Sequence, residues 1–150
     1  MKILTKNRRA FFDYEITDQL EAGIVLTGQE VKSVKTGGVS LDGSYARIAR
    51  GQASLINAHI KAYAYASNLE NYDPTQTRKL LLHKREIKKL ENKTSEKGLT
   101  LIPLEVYVKN GYIKIRLGLG RSKKKTDKRE TIKKRESDRR IKRAIRSAIK

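Results

Sequence analysis

Residues 104–117 read Leu-Glu-Val-Tyr-Val-Lys-Asn-Gly-Tyr-Ile-Lys-Ile-Arg-Leu, and this stretch decides the fold. Leu104, Val106 and Val108 alternate with Glu105, Tyr107 and Lys109. Asn110-Gly111 follows, the pair preferred in a type I′ turn because both central residues must take positive φ. Ile113, Ile115 and Leu117 then alternate with Lys114 and Arg116. Period two on both sides of such a turn predicts a β-hairpin with one apolar face.

Outward from it, a second hairpin is expected from Ser44 to Ile60, turning near Arg50-Gly51-Gln52, with Ile56, Ala58 and Ile60 on one face of its second strand. Two further strands are expected at Arg9 to Thr17 and Glu21 to Leu26, where Ala22-Gly23 marks a bulge or sharp bend. Two helices interrupt the strands. Thr27-Gly28-Gln29-Glu30 reads as a capping box, Val31 and Val34 form a short apolar face, and Gly37-Gly38 supplies a left-handed stop. The second helix spans about Leu82 to Asn92, with His83, Ile87 and Leu90 inward and Lys84, Arg85, Lys88 and Lys89 mostly outward. Six short strands with two helices among them predict a mainly β fold, a small antiparallel barrel whose closure removes exposed edges.

A chain of 150 residues with 37% apolar side chains builds one modest core. Thirty-five Lys and Arg face 16 Asp and Glu, a net charge of +19. Such an excess points to a polyanionic partner, nucleic acid first. No run approaches the roughly 20 apolar residues of a membrane span, and the basic N-terminus lacks the apolar region of a secretory signal, so no membrane partner and a cytoplasmic address are expected. With no Cys, disulfides, Cys-ligated zinc and Cys nucleophiles are excluded.

The charge is uneven along the chain. Residues 121–150 carry 15 basic and 4 acidic residues, against 20 and 12 in the first 120, and the boundary falls at Gly118-Leu119-Gly120. The chain thus divides into a barrel domain, 1–120, and a basic tail, 121–150. Helix formers dominate the tail from Asp127, without Gly or Pro, yet its only apolar stripe is Ile141, Ala144, Ile145, Ala148 and Ile149. So thin a stripe does not offset the entropy of ordering the segment or the repulsion among its cations. The tail is expected to be disordered alone and helical on a phosphate-rich surface; the alternative is a solvated helix packed on the barrel.

Catalytic sites are hard to assemble from these residues. His59 and His83 are the only histidines, and no nucleophile pairs with either by motif. Asp13 and Glu15 share a strand face as an isolated, solvated pair, and Gly118-Leu119-Gly120 lacks the Gly-Lys-Ser/Thr ending of a phosphate loop. Neither enzyme activity, a metal site nor a cofactor is expected. Cations interleaved with tyrosines are the stronger signal. Asn7-Arg8-Arg9 lie near Tyr14, Lys32 and Lys35 share a helix, and Arg78-Lys79 precede Leu80-Leu81-Leu82. Rings stack on unpaired bases while cations hold phosphates, so RNA or DNA is the expected ligand, composition alone not choosing between them.

Several strings in register choose. Asn7-Arg8-Arg9-Ala10 with Tyr14, Glu21-Ala22-Gly23, Gly28-Gln29-Glu30-Val31-Lys32-Ser33, Asp73-Pro74 through Arg78-Lys79-Leu80-Leu81-Leu82, and Asp127-Lys128-Arg129 stand in the order and spacing of one family. Over essentially its whole length the chain resembles the SsrA-binding proteins, the SmpB family. The resemblance implies an oligonucleotide-binding-type β-barrel of about six strands with two to three flanking helices and a basic C-terminal tail. It also implies a non-catalytic, monomeric RNA-binding adaptor. Such an adaptor binds the tRNA-like domain of transfer-messenger RNA and delivers it to stalled ribosomes for trans-translation, the barrel standing in for the part of a tRNA that this RNA lacks. The tail is implied to reach the decoding centre and enter the empty mRNA path of the small subunit.

By position, the resemblance implies that Asn7, Arg8, Tyr14, Glu21, Lys32, Lys35 and Leu81 contact RNA or support that contact, and Arg78 and Lys79 join them on the basic pattern. Glu21 is expected to accept hydrogen bonds from base amino groups or to orient a neighbouring cation, contributing specificity more than affinity. Lys123, Lys124, Lys125, Asp127, Lys128 and Arg129 match the ribosome-binding run of the tail. The chain departs from the family where Gln76 replaces the common Arg, Ser122 the common Gly, and Thr126 a His or aromatic ring.

Overall fold

The computed structural model describes residues 1–67, 69–96, 98–123 and 125–149, and within them all side chains but those at 96, 125–128, 130–131 and 146–149. Its elements run β1 (Lys2–Lys6), α1 (Arg8–Asp13), β2 (Tyr14–Ile24), α2 (Gly28–Lys35), β3 (Val39–Ser40), β4 (Tyr45–Ala49), β5 (Gln52–Ile56), β6 (His59–Ile60), β7 (Arg78–Leu81), α3 (Lys84–Glu96), β8 (Thr100–Lys109), β9 (Tyr112–Ser122) and α4 (Lys125–Ile149). Six antiparallel strands follow one another in the order β8-β4-β5-β7-β2-β9, and β9 pairs back onto β8 to close the ring. This is the mainly β, oligonucleotide-binding-like arrangement expected. Strand β1 lies along the remaining edge of β8, and β3 with β6 forms a separate small ribbon.

The deciding hairpin forms as read. Asn110 and Gly111 take φ of 51° and 79°, and β8 and β9 pair from Lys109↔Tyr112 to Thr100↔Gly120. Ile115, Leu117 and Leu119 point into the ring, where they meet Leu55, Leu80, Leu101 and Val106. A bulge between Pro103 and Glu105 shifts the phase, so Leu104 leaves the inward row. It packs instead with Ala10 and Ile102 in a second, smaller core beneath α1. Gly118 and Gly120 make room for that core: a Cβ on Gly118 would stand 2.9 Å from Leu104 Cδ1, and one on Gly120 3.0 Å from Ile16 Cδ1. The two glycines are therefore packing residues.

Other expectations need correction. The strand read at Arg9 to Thr17 is a six-residue helix followed by the start of β2, because Asn7 Oδ1 accepts the Ala10 amide and caps a helix there. Ala22-Gly23 makes no bend: β2 runs unbroken to Ile24, its bulge falls between Ile16 and Asp18, and Gly23 instead admits the side chain of Leu81. In the second hairpin Arg50-Gly51 turn as expected, but Asn57 at φ 62° ends β5, so Ala58 and Ile60 are buried while Ile56 stays half-buried. His83 is exposed rather than inward, because it precedes α3 and its amide donates to Glu86.

At α2 the capping box of Thr27 and Glu30 forms, and Gly37 at φ 88° closes the helix. The Gly37 and Gly38 amides then reach back to the carbonyls of Val34 and Ser33. Strand β9 continues to Ser122, two residues beyond the expected domain boundary, and Lys123 pins the root of the tail to α1 through bonds to the carbonyls of Asp13 and Phe11. Helix α4 follows, and each of its described side chains is exposed. Among the described residues no helix is long and apolar enough to cross a membrane.

Candidate nucleic-acid interface

Register places the first group of residues on the outer face of the barrel. Glu21 pairs with Arg116 and Arg116 with Glu105; Gly23 pairs with both Leu81 and Lys114, and Lys114 with Tyr107. Residues opposite one another across strands share a face. Glu21, Leu81, Tyr107, Lys114 and Arg116 are thereby brought together from four strands. Leu81 lies over Gly23, where a Cβ would meet it at 3.1 Å, and remains half-exposed. Lys79, two residues before Leu81 on β7, faces the same way and is exposed.

Glu21 is the electrostatic centre of this face. The Tyr107 hydroxyl donates to Glu21 Oε2, Lys109 Nζ approaches the same oxygen at 3.4 Å, and the Arg116 guanidinium lies 5.3 Å from the centre of the Tyr107 ring. Arg116 Nε donates in turn to Glu105 at 3.0 Å. The Tyr107 bond, aided by the charges of Lys109 and Lys114, holds the Glu21 carboxyl below the usual range against the opposing effect of desolvation. Burial, and then the bond to Glu21, push the Tyr107 hydroxyl above its ordinary value, so it stays protonated and donating. Glu21 Oε2 thus holds Tyr107 and one neighbouring cation, Lys109.

Asn7, Arg8 and Tyr14 adjoin this face by way of α1. Asn7 is buried; its Nδ2 donates to the Pro103 carbonyl at 2.9 Å and its amide to the Leu104 carbonyl at 2.7 Å. It therefore clamps α1 to β8 and supports the site. Arg8 is exposed and lines an open cleft with Lys6, Phe11, Gln19 and Arg116. Tyr14 is half-buried against the second core.

A different arrangement surrounds Arg78, which the basic pattern placed on the surface. Arg78 is buried, with Nε and Nη2 donating to Glu30 Oε2 at 2.8 and 2.6 Å and further donors on the carbonyls of Ala58 and Pro74. Tyr72 and Gln76 also donate to Glu30. A guanidinium with its donors consumed inside the protein has none for phosphate, so Arg78 ties β7 and the preceding loop to α2 instead. Desolvation alone would raise the Glu30 carboxyl; the Thr27 amide, Arg78 and Gln76 outweigh it and hold the group low. Lys32 and Lys35 are exposed in the last turn of α2, where cations complement the helix dipole.

In the tail Arg129 is exposed and Lys123 half-buried. Lys124 lies outside the described residues, as do the side chains of Lys125, Thr126, Asp127 and Lys128, whose backbone belongs to α4. Among the described residues no three His, Asp or Glu side chains gather as a metal site.

A family model described as SmpB protein matches residues 4–147. The chain belongs to the SmpB family. SsrA-binding proteins of Geobacillus sp. and Enterococcus faecalis are 50% and 48% identical to it, over 99% and 97% of this chain and 96% and 94% of theirs. That of Acaryochloris marina is 49% identical over 96% of this chain and 94% of its own. A solved chain from "tmRNA-SmpB: a journey to the center of the bacterial ribosome" superposes with a TM-score of 0.67 at 46% identity, covering 85% of this chain and 93% of that one. Within the SmpB frame, Gln76 has a visible role where Arg is common: at 3.2 Å its amide supplies Glu30 with a neutral donor beside Arg78. Ser122 ends β9 opposite Tyr14.

Tyr107, Lys109, Lys114 and Arg116 also belong to the site, although period two alone places them only on the outward side of the hairpin. Their pairing with Glu21, more than 80 residues away for Tyr107, is the signal that only the register supplies.

Proposed function

We propose that this SmpB-family chain binds the tRNA-like domain of transfer-messenger RNA with the outer face of its barrel and delivers it to stalled ribosomes for trans-translation. The observation that carries this reading is the convergence of Glu21, Leu81, Lys79, Lys114 and Arg116 on one sheet face, continuous with Arg8 in the adjoining cleft. A half-exposed apolar side chain among oriented cations suits a folded RNA, whose phosphates and bases must be met at fixed places. Asn7 and Tyr14 shape that surface from below, Lys32 and Lys35 extend it from α2, and Lys123 with the tail run through Arg129 serves the decoding centre and mRNA path.

The protein acts as a monomer, in the cytoplasm with ribosomes, and without catalysis. Glu21 and Glu30 are held ionised by donors, which suits positioning groups; a general acid needs a pKa near the working pH. Helix α4 has little packing of its own to hold it and is firmly helical only when it meets a phosphate-rich surface. Ile132, Ile141 and Ile145 are all about half-exposed along α4, so little apolar burial supports the helix.

Sequencing the RNA that co-purifies with the full chain tests the reading. Transfer-messenger RNA and ribosomal RNA should dominate. Broad recovery of unrelated messages, in proportion to phosphate count, would instead mark a general RNA-binding module of the same fold.

A further inference from the structure

The loop after β6 carries two tyrosines that the function above does not use. Tyr63 and Tyr65 meet edge to face, with ring centres 5.6 Å apart and planes at 67°. Lys32 Nζ stands 5.8 Å from the centre of the Tyr63 ring, on the side of α2. Tyr65 is 88% exposed, the most exposed aromatic ring among the described residues. One exposed ring is ordinary, but two rings in contact with a cation against one of them form a contiguous patch of the kind a partner covers.

The loop is held in place by several independent bonds. Ser33 Oγ donates to the Lys61 carbonyl, the Lys61 amide donates to the Gly38 carbonyl at 2.8 Å, and the Tyr63 amide donates to Gln29 Oε1 at 2.9 Å. Just before it, the Tyr72 hydroxyl holds the Ile60 carbonyl at 2.8 Å, and the same hydroxyl is fixed by Glu30. Gly38 permits the approach, since a Cβ there would stand 2.3 Å from Ser33 Oγ. The buried Glu30–Arg78 pair therefore reaches the tyrosines through Tyr72, and the loop backbone leading to them is fixed in advance. Between the loop and the end of α2 is a hollow of about 340 Å³, lined by Thr36, Lys61, Tyr63 and Tyr65 among others.

We infer that Tyr63 and Tyr65, with Lys32, form a stacking site for one unpaired nucleobase of the bound RNA. The base lies on the open face of Tyr65, Tyr63 buttresses that ring from its edge, and Lys32, Lys35 and Lys61 receive the flanking phosphates. Stacking on an aromatic ring tolerates any base. The negative end of the α2 dipole lies at the hollow, which favours the amino edge of a base there and leaves the phosphates to the lysines. The cationic surround selects RNA over an acidic-poor protein segment. The inference rests on the proposed RNA-binding function and names one of its contacts.

The test uses the full chain and a transcript of the tRNA-like domain with 2-aminopurine placed at each unpaired purine in turn. In the wild-type protein one position should change its fluorescence on binding. Tyr65→Ala should abolish that change and weaken binding about 5- to 100-fold, Tyr65→Trp should preserve both, and Tyr65→Leu should resemble Ala. Tyr65 is too exposed for these changes to disturb folding, which thermal melts of each variant verify. If Tyr65→Ala binds as wild type, or Tyr65→Leu restores binding fully, the stacking site is wrong while the proposed function stands. If the wild-type chain fails to bind the transcript at all, the proposed function fails as well.

Discussion

The barrel and the tail both carry an excess of positive charge, but they hold it in opposite ways. In the barrel the informative cations have carboxylates set against them: Arg78 against Glu30 inside, Lys109 against Glu21 and Arg116 against Glu105 on the outer face. These acids lower the net charge and in return fix where each cation points. In α4 the described side chains are exposed, and residues 121–150 carry 15 cations against 4 acids. Paired charge specifies a place, whereas repeated charge supplies attraction to any polyanion.

Removing residues 124–150 should have the largest effect. The truncated chain keeps β9 and the Lys123 anchor. It should bind the isolated tRNA-like domain nearly as well as the full chain, yet show no tag addition on stalled ribosomes in a cell-free translation assay. Loss of binding to the free RNA would show that the tail, rather than the barrel face, recognises it.

Next in size is Arg78→Ala, which leaves Glu30 buried and ionised without its partner. Urea denaturation should show a loss of about 3–5 kcal/mol. A surface cation would lose far less, so a change below about 1 kcal/mol would return Arg78 to the RNA-binding set.

Acid should act through the same carboxylates. Glu30 and Glu21 have folded pKa values below their unfolded ones, so each contributes stability that is complete above the ordinary carboxylate pKa and lost as pH falls through the lowered value. Urea midpoints should fall between neutral pH and about pH 3. Glu30→Gln should lower the midpoint at neutral pH and flatten that decline.

Tyr107→Phe should have the smallest effect on stability, about 1 kcal/mol, because it removes one hydrogen bond and water can reach part of Glu21. Its consequence should appear in recognition. Both Tyr107→Phe and Glu21→Ala should reduce discrimination between the tRNA-like domain and an unrelated hairpin of equal length, by a factor that changes little with salt.

Much of this was legible in the sequence wherever local chemistry governs. The Asn110-Gly111 turn, the Thr27–Glu30 capping box and the Gly37 stop each depend on neighbours a few residues apart. Helix α1 was not legible, since six residues are too few for a helical period and only the Asn7 cap announces them. Strand β1 carries no clear signal, being an edge strand whose ends are exposed lysines. Arg78 reads as a surface cation because its acid lies 48 residues earlier, where Glu30 already has a local role as a cap. The outer face likewise needed the register of β2 on β9 before Glu21 and Tyr107 could be seen as one unit.

Specificity belongs to the paired charges of the barrel and general attraction to the tail. Affinity for the tRNA-like domain and for an unrelated hairpin of equal length, measured over a series of salt concentrations with the full chain and with residues 1–123, tests it directly. Truncation should flatten the dependence of log affinity on log salt for both RNAs and leave the ratio of the two affinities unchanged. A ratio that collapses toward one when the tail is removed would place specificity in the tail instead.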